Sequence, residues 1–264
     1  MEGLGVKVER GSEVDSGAVD SNDRFELGLR LGDSALVLGH RLSQWVGHAP
    51  ALEEELGLAN VALDLIGQAT LWLQLSAQSS DAYQDADALA YLRDAGSYRN
   101  VLLVEQPNGD FAVTMARQFF FDAWHCCYLR EVAASTDADI AAIAAKSEKE
   151  VRYHLERSTE WVVRLGDGTA ESHERMQHAV NDLWMYTGEL FEADALDSRL
   201  VANGAAPDPA ALRDEWNAKV AEVFNDATLE LPTDPWVQSG GRRGTHTEHL
   251  GFLLAELQFL QRAY

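Results

Sequence analysis

Cationic residues, cysteine and strand patterning are scarce in this sequence, and each shortage narrows what the chain can be. Only 21 Lys and Arg stand against 43 Asp and Glu in 264 residues, a formal charge of −22. Such a surface repels the phosphates of nucleic acid and of anionic membranes, so neither is expected as a partner. The two cysteines are the neighbours Cys126 and Cys127. Adjacent residues on a helix point in different directions, so a disulfide between them would be strained, and zinc sites or disulfide frameworks need more cysteines than two. They read as small buried thiols. No apolar run reaches the ~20 residues of a membrane span, and the N-terminus lacks a cationic region followed by an apolar one. The expected location is the cytoplasm. Neither alternating strand patterns nor repeats of fixed period occur.

Helical periodicity is abundant instead. Residues 1–22 are rich in Gly, Ser, Asp and Glu and read as a flexible N-terminal tail, with residues 23–264 as a single helical domain. A helix is expected from Asp23 to Gly47. A second follows over Ala51–Gln78, apolar almost all round, with Pro50 as first residue and Glu53, Glu54 and Glu55 at the positive end of its dipole. Shorter or further helices are expected over Asp81–Asp94, from Phe111 to about Ser135, over Asp137–Leu165, Ser172–Ala193 and Pro207–Ala227. The run EQPNGD is a turn that no helix would cross. The last helix is expected to run to Tyr264 from a capping box of Thr245 and Glu248. The fold class is all-α: seven or eight helices, four of them long enough for a bundle.

The Ala51–Gln78 helix looks like the buried centre of that bundle, yet it carries Asn60, Asp64 and Gln68 four residues apart. Polar groups so placed need partners, because unpaired burial costs about 1–3 kcal/mol each. Long bundle helices with inward polar groups raise the question of a di-metal carboxylate site. Such sites take a carboxylate from each of two helices and Glu-x-x-His from each of the other two. No histidine here has Glu three residues before it. Asp122 with His125, and Glu150 with His154, are the nearest approaches, enough for one metal at most. His246 and His249 have no acidic partner fixed by spacing and read as structural or exposed.

Four runs, RLGDSALVLGHRLSQWVGHAPALEEELGLANVALDLIGQA, LLVEQPNGDFAVTMARQFFFDAWH, AKSEKEVRYHLERSTEW and GGRRGTHTEHLGFLLAELQFLQR, make the chain similar to the structural subunits of bacterial phenylacetyl-CoA epoxidases over about Phe25–Arg262. The resemblance implies a ferritin-like helical bundle with additional C-terminal helices. It implies no metal of the chain's own, and pairing with a di-iron catalytic subunit of the same ancestry. It further implies a complex with a small bridging subunit and with a reductase that draws electrons from NADPH. The catalytic subunits carry Ser-Glu-x-Val-Gly where this chain has Ser43-Gln44-Trp45-Val46-Gly47. Their Asp-Glu-Ala-Gly-His corresponds to Asp64-Leu65-Ile66-Gly67-Gln68, and their Lys-Glu-Glu-x-x-His to Lys149-Glu150-Val151-Arg152-Tyr153-His154. Gln44, Leu65, Gln68 and Val151 therefore replace ligands, while Asp122 and His154 keep a liganding type. The expectation is a vestigial metal pocket of Gln44, Leu65, Gln68, Asp122, Val151 and His154, with Asn60 and Asp64 as a supporting network. Catalytic residues are expected to be absent.

The GGRRG loop is the one cationic cluster in the acidic chain and precedes a helix. Arg242 and Arg243 are expected either to pair with nearby carboxylates or to meet a partner subunit or the phosphates of coenzyme A. Trp236, in the irregular stretch before it, reads as an interface anchor. Two other readings stay open: an oxidase with an atypical metal site at Asp122, His125, Glu150 and His154, and a storage-type homo-oligomeric bundle.

Overall fold

Asp20 begins the first helix by accepting the amide of Asn22 on its carboxylate, so α1 spans Ser21–Ser43, two residues earlier than periodicity alone suggests. The computed structural model describes residues 19–263; residues 1–18 of the expected tail, and Tyr264, lie outside the described residues. After α1 the chain turns at Gly47 (φ +80°), whose amide donates to Glu55, and α2 runs over Leu52–Gln78 with its three glutamates in the first turn. Pro50 precedes the helix and does not begin it.

Only α3 (Ala86–Tyr91) forms in the stretch expected as helix 81–94, and α4 (Leu102–Glu105) adds one turn before the predicted break. Asp110 then caps α5 (Phe111–Val132), and Asp137 caps α6 (Ala138–Gly166). A capping box of Thr169 and Ser172 opens α7 (Ala170–Trp184), which ends nine residues before Ala193. A second box, of Asp194 and Asp197, opens α8 (Ala195–Ala202), a helix hidden from periodicity by its brevity. The chain closes with α9 (Arg213–Asp226), α10 (Glu248–Leu257) and α11 (Phe259–Ala263). The expected box at Thr245 does not form: Thr247 is the cap residue of α10, and its hydroxyl is turned elsewhere. The described residues contain these eleven α-helices and no strand, the architecture of a ferritin-like bundle.

Two helix pairs form the bundle. α1 lies along α2, and α5 along α6, with α2 and α6 meeting across the middle. The first pair packs backbone to backbone: a Cβ on Gly28 would stand 2.7 Å from the Trp72 carbonyl oxygen, so only glycine permits this approach. The short helices and α7, α9 and α10 sheath these pairs, with α7 and α9 on α5 and α6.

The most enclosed helix is α5, not α2. Seventeen of its 22 residues are buried, against eleven of 27 in α2. The apolar character of α2 is thus met on one side only, and Leu52, Leu56 and Leu63 face outward. By length and composition α2 could cross a membrane, contrary to the expectation that no segment qualifies, but here it is packed along α1 and meets α3 and α6.

Candidate functional site

The polar stripe of α2 meets α6 in two rungs. His154 Nε2 lies 3.0 Å from Asp64 Oδ2, and Gln68 Nε2 donates to Glu150 Oε2 at 2.9 Å. Asp64 and Gln68 are four apart on one helix, Glu150 and His154 four apart on the other, so antiparallel helices match them pair by pair. Gln68 and His154 are buried, Asp64 is part-exposed and Asn60 is fully outside with no partner among the described contacts. Asn60 therefore does not join the network. Each four-residue step on a 3.6-residue helix turns the side chain by about 40°, and two steps carry Asn60 off the seam.

On α5, Asp122 is wholly buried and accepts from Gln118 Nε2 at 2.7 Å and from the Ser158 hydroxyl of α6 at 2.9 Å. Burial pushes its carboxyl up to about 7 against the opposing pull of His154, Ser158 and Gln118. His125, one turn on, packs against the Phe121 and Trp124 rings, and burial followed by His154 lowers its pKa to about 3. At neutral pH its imidazole is uncharged and Asp122 is partly protonated. His125 Nδ1, His154 Nδ1, Gln68 Oε1 and the Ser147 hydroxyl lie buried without partners among the described residues.

Leu65 and Val151 are completely buried in the surrounding core. These donors do not fit a di-iron centre: two positions are hydrocarbon, Gln68 offers a neutral amide, and the carboxyl of Asp122 is committed to Gln118 and Ser158. Among the described residues no three His, Cys, Asp or Glu side chains converge as a metal site requires. Gln44, expected in this pocket, stands apart from it. It is exposed at the end of α1, where its amide oxygen accepts from Arg41 at 3.3 Å and from Asn108 at 3.4 Å. The sequence run that aligned it with a ligand continues into the turn after α1, so the helix ends before the residue can point inward.

The sequence profile of the family described as phenylacetic acid catabolic protein matches residues 12–264. The chain belongs to that family. It is also similar to one of the lettered subunits of the 1,2-phenylacetyl-CoA epoxidase of Escherichia coli (strain K12), with 51% identity over 234 residues that cover 89% of this chain and 94% of the relative.

In this member of the phenylacetic acid catabolic protein family the glycine-rich loop is already filled from within. Buried Glu189 accepts the amides of Leu102 (2.7 Å), Gly240 (2.9 Å) and Arg242 (3.3 Å), so the loop's inward donors hold the chain's own carboxylate. Arg242 is buried as well and spends its guanidinium on the Glu192 and Leu190 carbonyls, over the Trp124 ring. Of the two expectations for Arg242 the geometry follows local pairing, with the guanidinium turned inward and 3.9 Å from the buried Asp197 carboxylate. Arg243 is exposed and pairs with Glu192 at 3.4 Å, and Trp236 is exposed as well. Cys126 is half-buried and Cys127 buried, both free, with burial pushing the Cys127 thiol up to about 12.

A second buried carboxylate, Glu105, fastens the next residues. It accepts from Asn100 Nδ2 (2.9 Å), His246 Nδ1 (2.8 Å) and both the amide (2.7 Å) and hydroxyl (2.8 Å) of Thr247. His246 is thus structural, with its other ring nitrogen 3.1 Å from the Tyr98 carbonyl. Burial works against the charged imidazole, but Glu105 and Tyr98 outweigh it and raise its pKa above the ordinary 6.5. Stability drawn from a raised histidine is complete below the unfolded pKa and is lost as pH rises through the folded one. The stability deficit of His246→Gln, measured by urea titration, is therefore expected to be largest below about pH 6.5 and to shrink above it; a deficit constant across neutral pH would contradict the ion pair.

Ser158, Gln118 and Glu189 were not foreseen as site residues, and Glu150 was foreseen as a candidate metal ligand, not as the partner of Gln68. Glu150 was legible in principle, since its spacing from His154 mirrors that of Asp64 and Gln68. Ser158 and Glu189 act across separations of 36 and 51 residues or more, which no local pattern encodes.

Proposed function

We propose that the chain is a non-catalytic, structural subunit of a multicomponent 1,2-phenylacetyl-CoA epoxidase. It supports a di-iron catalytic subunit in the cytoplasm during aerobic phenylacetate breakdown. The observation that carries this reading is the pocket: Leu65 and Val151 are hydrocarbon at full burial where the catalytic relatives place carboxylates, and Gln68 is spent on Glu150. The two free cysteines suit a reducing compartment. On this reading the ring epoxidation occurs in the partner, electrons pass from NADPH through a reductase, and the complex includes a small bridging subunit. The chain's own contribution is a rigid apolar scaffold for its catalytic neighbour.

Metal analysis of the isolated chain should find well under one iron per molecule. The catalytic subunit produced alone should be insoluble or inactive and should regain epoxidase activity on co-expression. A stoichiometric di-iron spectrum in this chain, or full activity without it, would overturn the reading. The oxidase alternative draws no support from the geometry, because Asp122, Glu150 and His154 each bond a different partner and His125 none.

A further inference from the structure

Glu189 stands on the turn Gly188–Phe191, is 1% exposed, and is met by backbone amides alone among the described contacts. Its Oε1 accepts from Gly240 at 2.9 Å and from Arg242 at 3.3 Å, and its Oε2 accepts from Leu102 at 2.7 Å. The Arg242 guanidinium is turned away to the Glu192 and Leu190 carbonyls. Amides from two distant segments thus converge on the two oxygens of one planar anion. A concavity of backbone N–H groups is an anion receptor whose donors no side-chain substitution removes.

The receptor is built without help from its resident. The loop closes on itself through the amides of Arg243 (2.9 Å) and Thr245 (3.0 Å) on the Gly240 carbonyl and of Gly244 on the Gly241 carbonyl (2.9 Å). Gly240 (φ +141°) and Gly244 (φ +78°) supply backbone conformations that other residues rarely adopt. Gly241 and Gly244 lie so close to the Asn100 and Gly96 carbonyls that a Cβ on either would collide, which seats the loop against the segment carrying the Leu102 amide. None of these contacts involves Glu189. We infer that Gly240–Gly244 and the Leu102 amide form a preorganised carboxylate-binding site whose resident ligand is Glu189, and that a free small carboxylate, formate or acetate, occupies it once that side chain is removed. In the intact chain the tether gives the resident an effective concentration no free anion matches, so the site serves cohesion.

The test compares three full-length chains: wild type, Glu189→Ala, which opens the space of the carboxylate, and Glu189→Gln, which keeps it filled. Thermal unfolding is followed in sodium formate, acetate and chloride at equal ionic strength. The alanine variant should melt below wild type in chloride and regain about 4 °C or more in formate, saturably with concentration. Wild type and the glutamine variant should show no saturable gain. Formate should shift the amide resonances of Leu102, Gly240 and Arg242 in the alanine variant. If that variant does not fold in chloride, the readout becomes the helical circular dichroism regained on refolding in formate. No gain beyond chloride, an equal gain in the glutamine variant, or amide shifts confined to other residues overturns the assignment.

Discussion

Replacing Glu105 with alanine is expected to destabilise the protein by about 3–5 kcal/mol, the range for removing one member of a buried charged pair. The carboxylate is wholly buried, and its four donors come from Asn100, His246 and Thr247. Alanine would leave the His246 imidazole without the carboxylate that keeps it charged, and the Asn100 amide and the Thr247 amide and hydroxyl facing a void that they cannot leave without unseating the Gly240–Thr247 segment. Glu105→Gln keeps the shape but presents an amide to some of those donors, so its cost should fall between wild type and alanine. Chemical denaturation gives the size. Limited proteolysis should show cleavage near α10 appearing in the alanine variant first, because that helix starts from Thr247. A loss below about 1 kcal/mol would mean that packing, and not this carboxylate, secures the segment.

Leu65→Glu is expected to cost about 4 kcal/mol or more, since it buries a carboxylate at a position with no exposure. The penalty has a defined pH dependence. The introduced acid would have its folded pKa raised, so the deficit relative to wild type is small below the unfolded value of about 4.3 and grows as pH rises through the folded one. Ferrous iron should restore nothing to this single variant, because Gln68 and Val151 still offer no ligand. The triple variant Leu65→Glu, Gln68→His and Val151→Glu places carboxylates and a histidine beside Asp122 and His154, and iron should return part of its lost stability. A triple variant indifferent to iron would show that the pocket is not the remnant of a metal site.

Much of the fold could be read from the residues. The turn in EQPNGD placed the break before α5, because turns are decided within a few residues, and the caps that the structure shows at Asp110 and Asp137 are equally local. Which helix sits at the centre was not legible. Composition made α2 and α5 look alike, and only the tertiary arrangement distinguishes a helix enclosed on all sides from one left open on a flank. The candidate site divides the same way. Asp122, His154 and Gln68, grouped by the resemblance, are buried, and Asp64 lies at the α2–α6 seam. Gln44 and Asn60 fell outside it, the first because the helix ends and the second because a four-residue step drifts around the axis. Spacing left Arg242 open between local pairing and an outside partner, since the carbonyls it serves and the carboxylate that fills its loop lie about 50 residues away in the chain.

The enclosure of α5 also bears on how the protein opens. Its amides are screened by α6, α7 and α9 together with α4, so no single element can leave and expose them. Hydrogen exchange along Phe111–Val132 should therefore proceed only through global unfolding and report the full free energy of the fold, while α3 and α11, short and peripheral, exchange through local fraying. Asp122 thus sits in the slowest-exchanging part of the molecule, with the apolar replacement Val151 on α6 beside it and Leu65 on α2, across the α2–α6 seam.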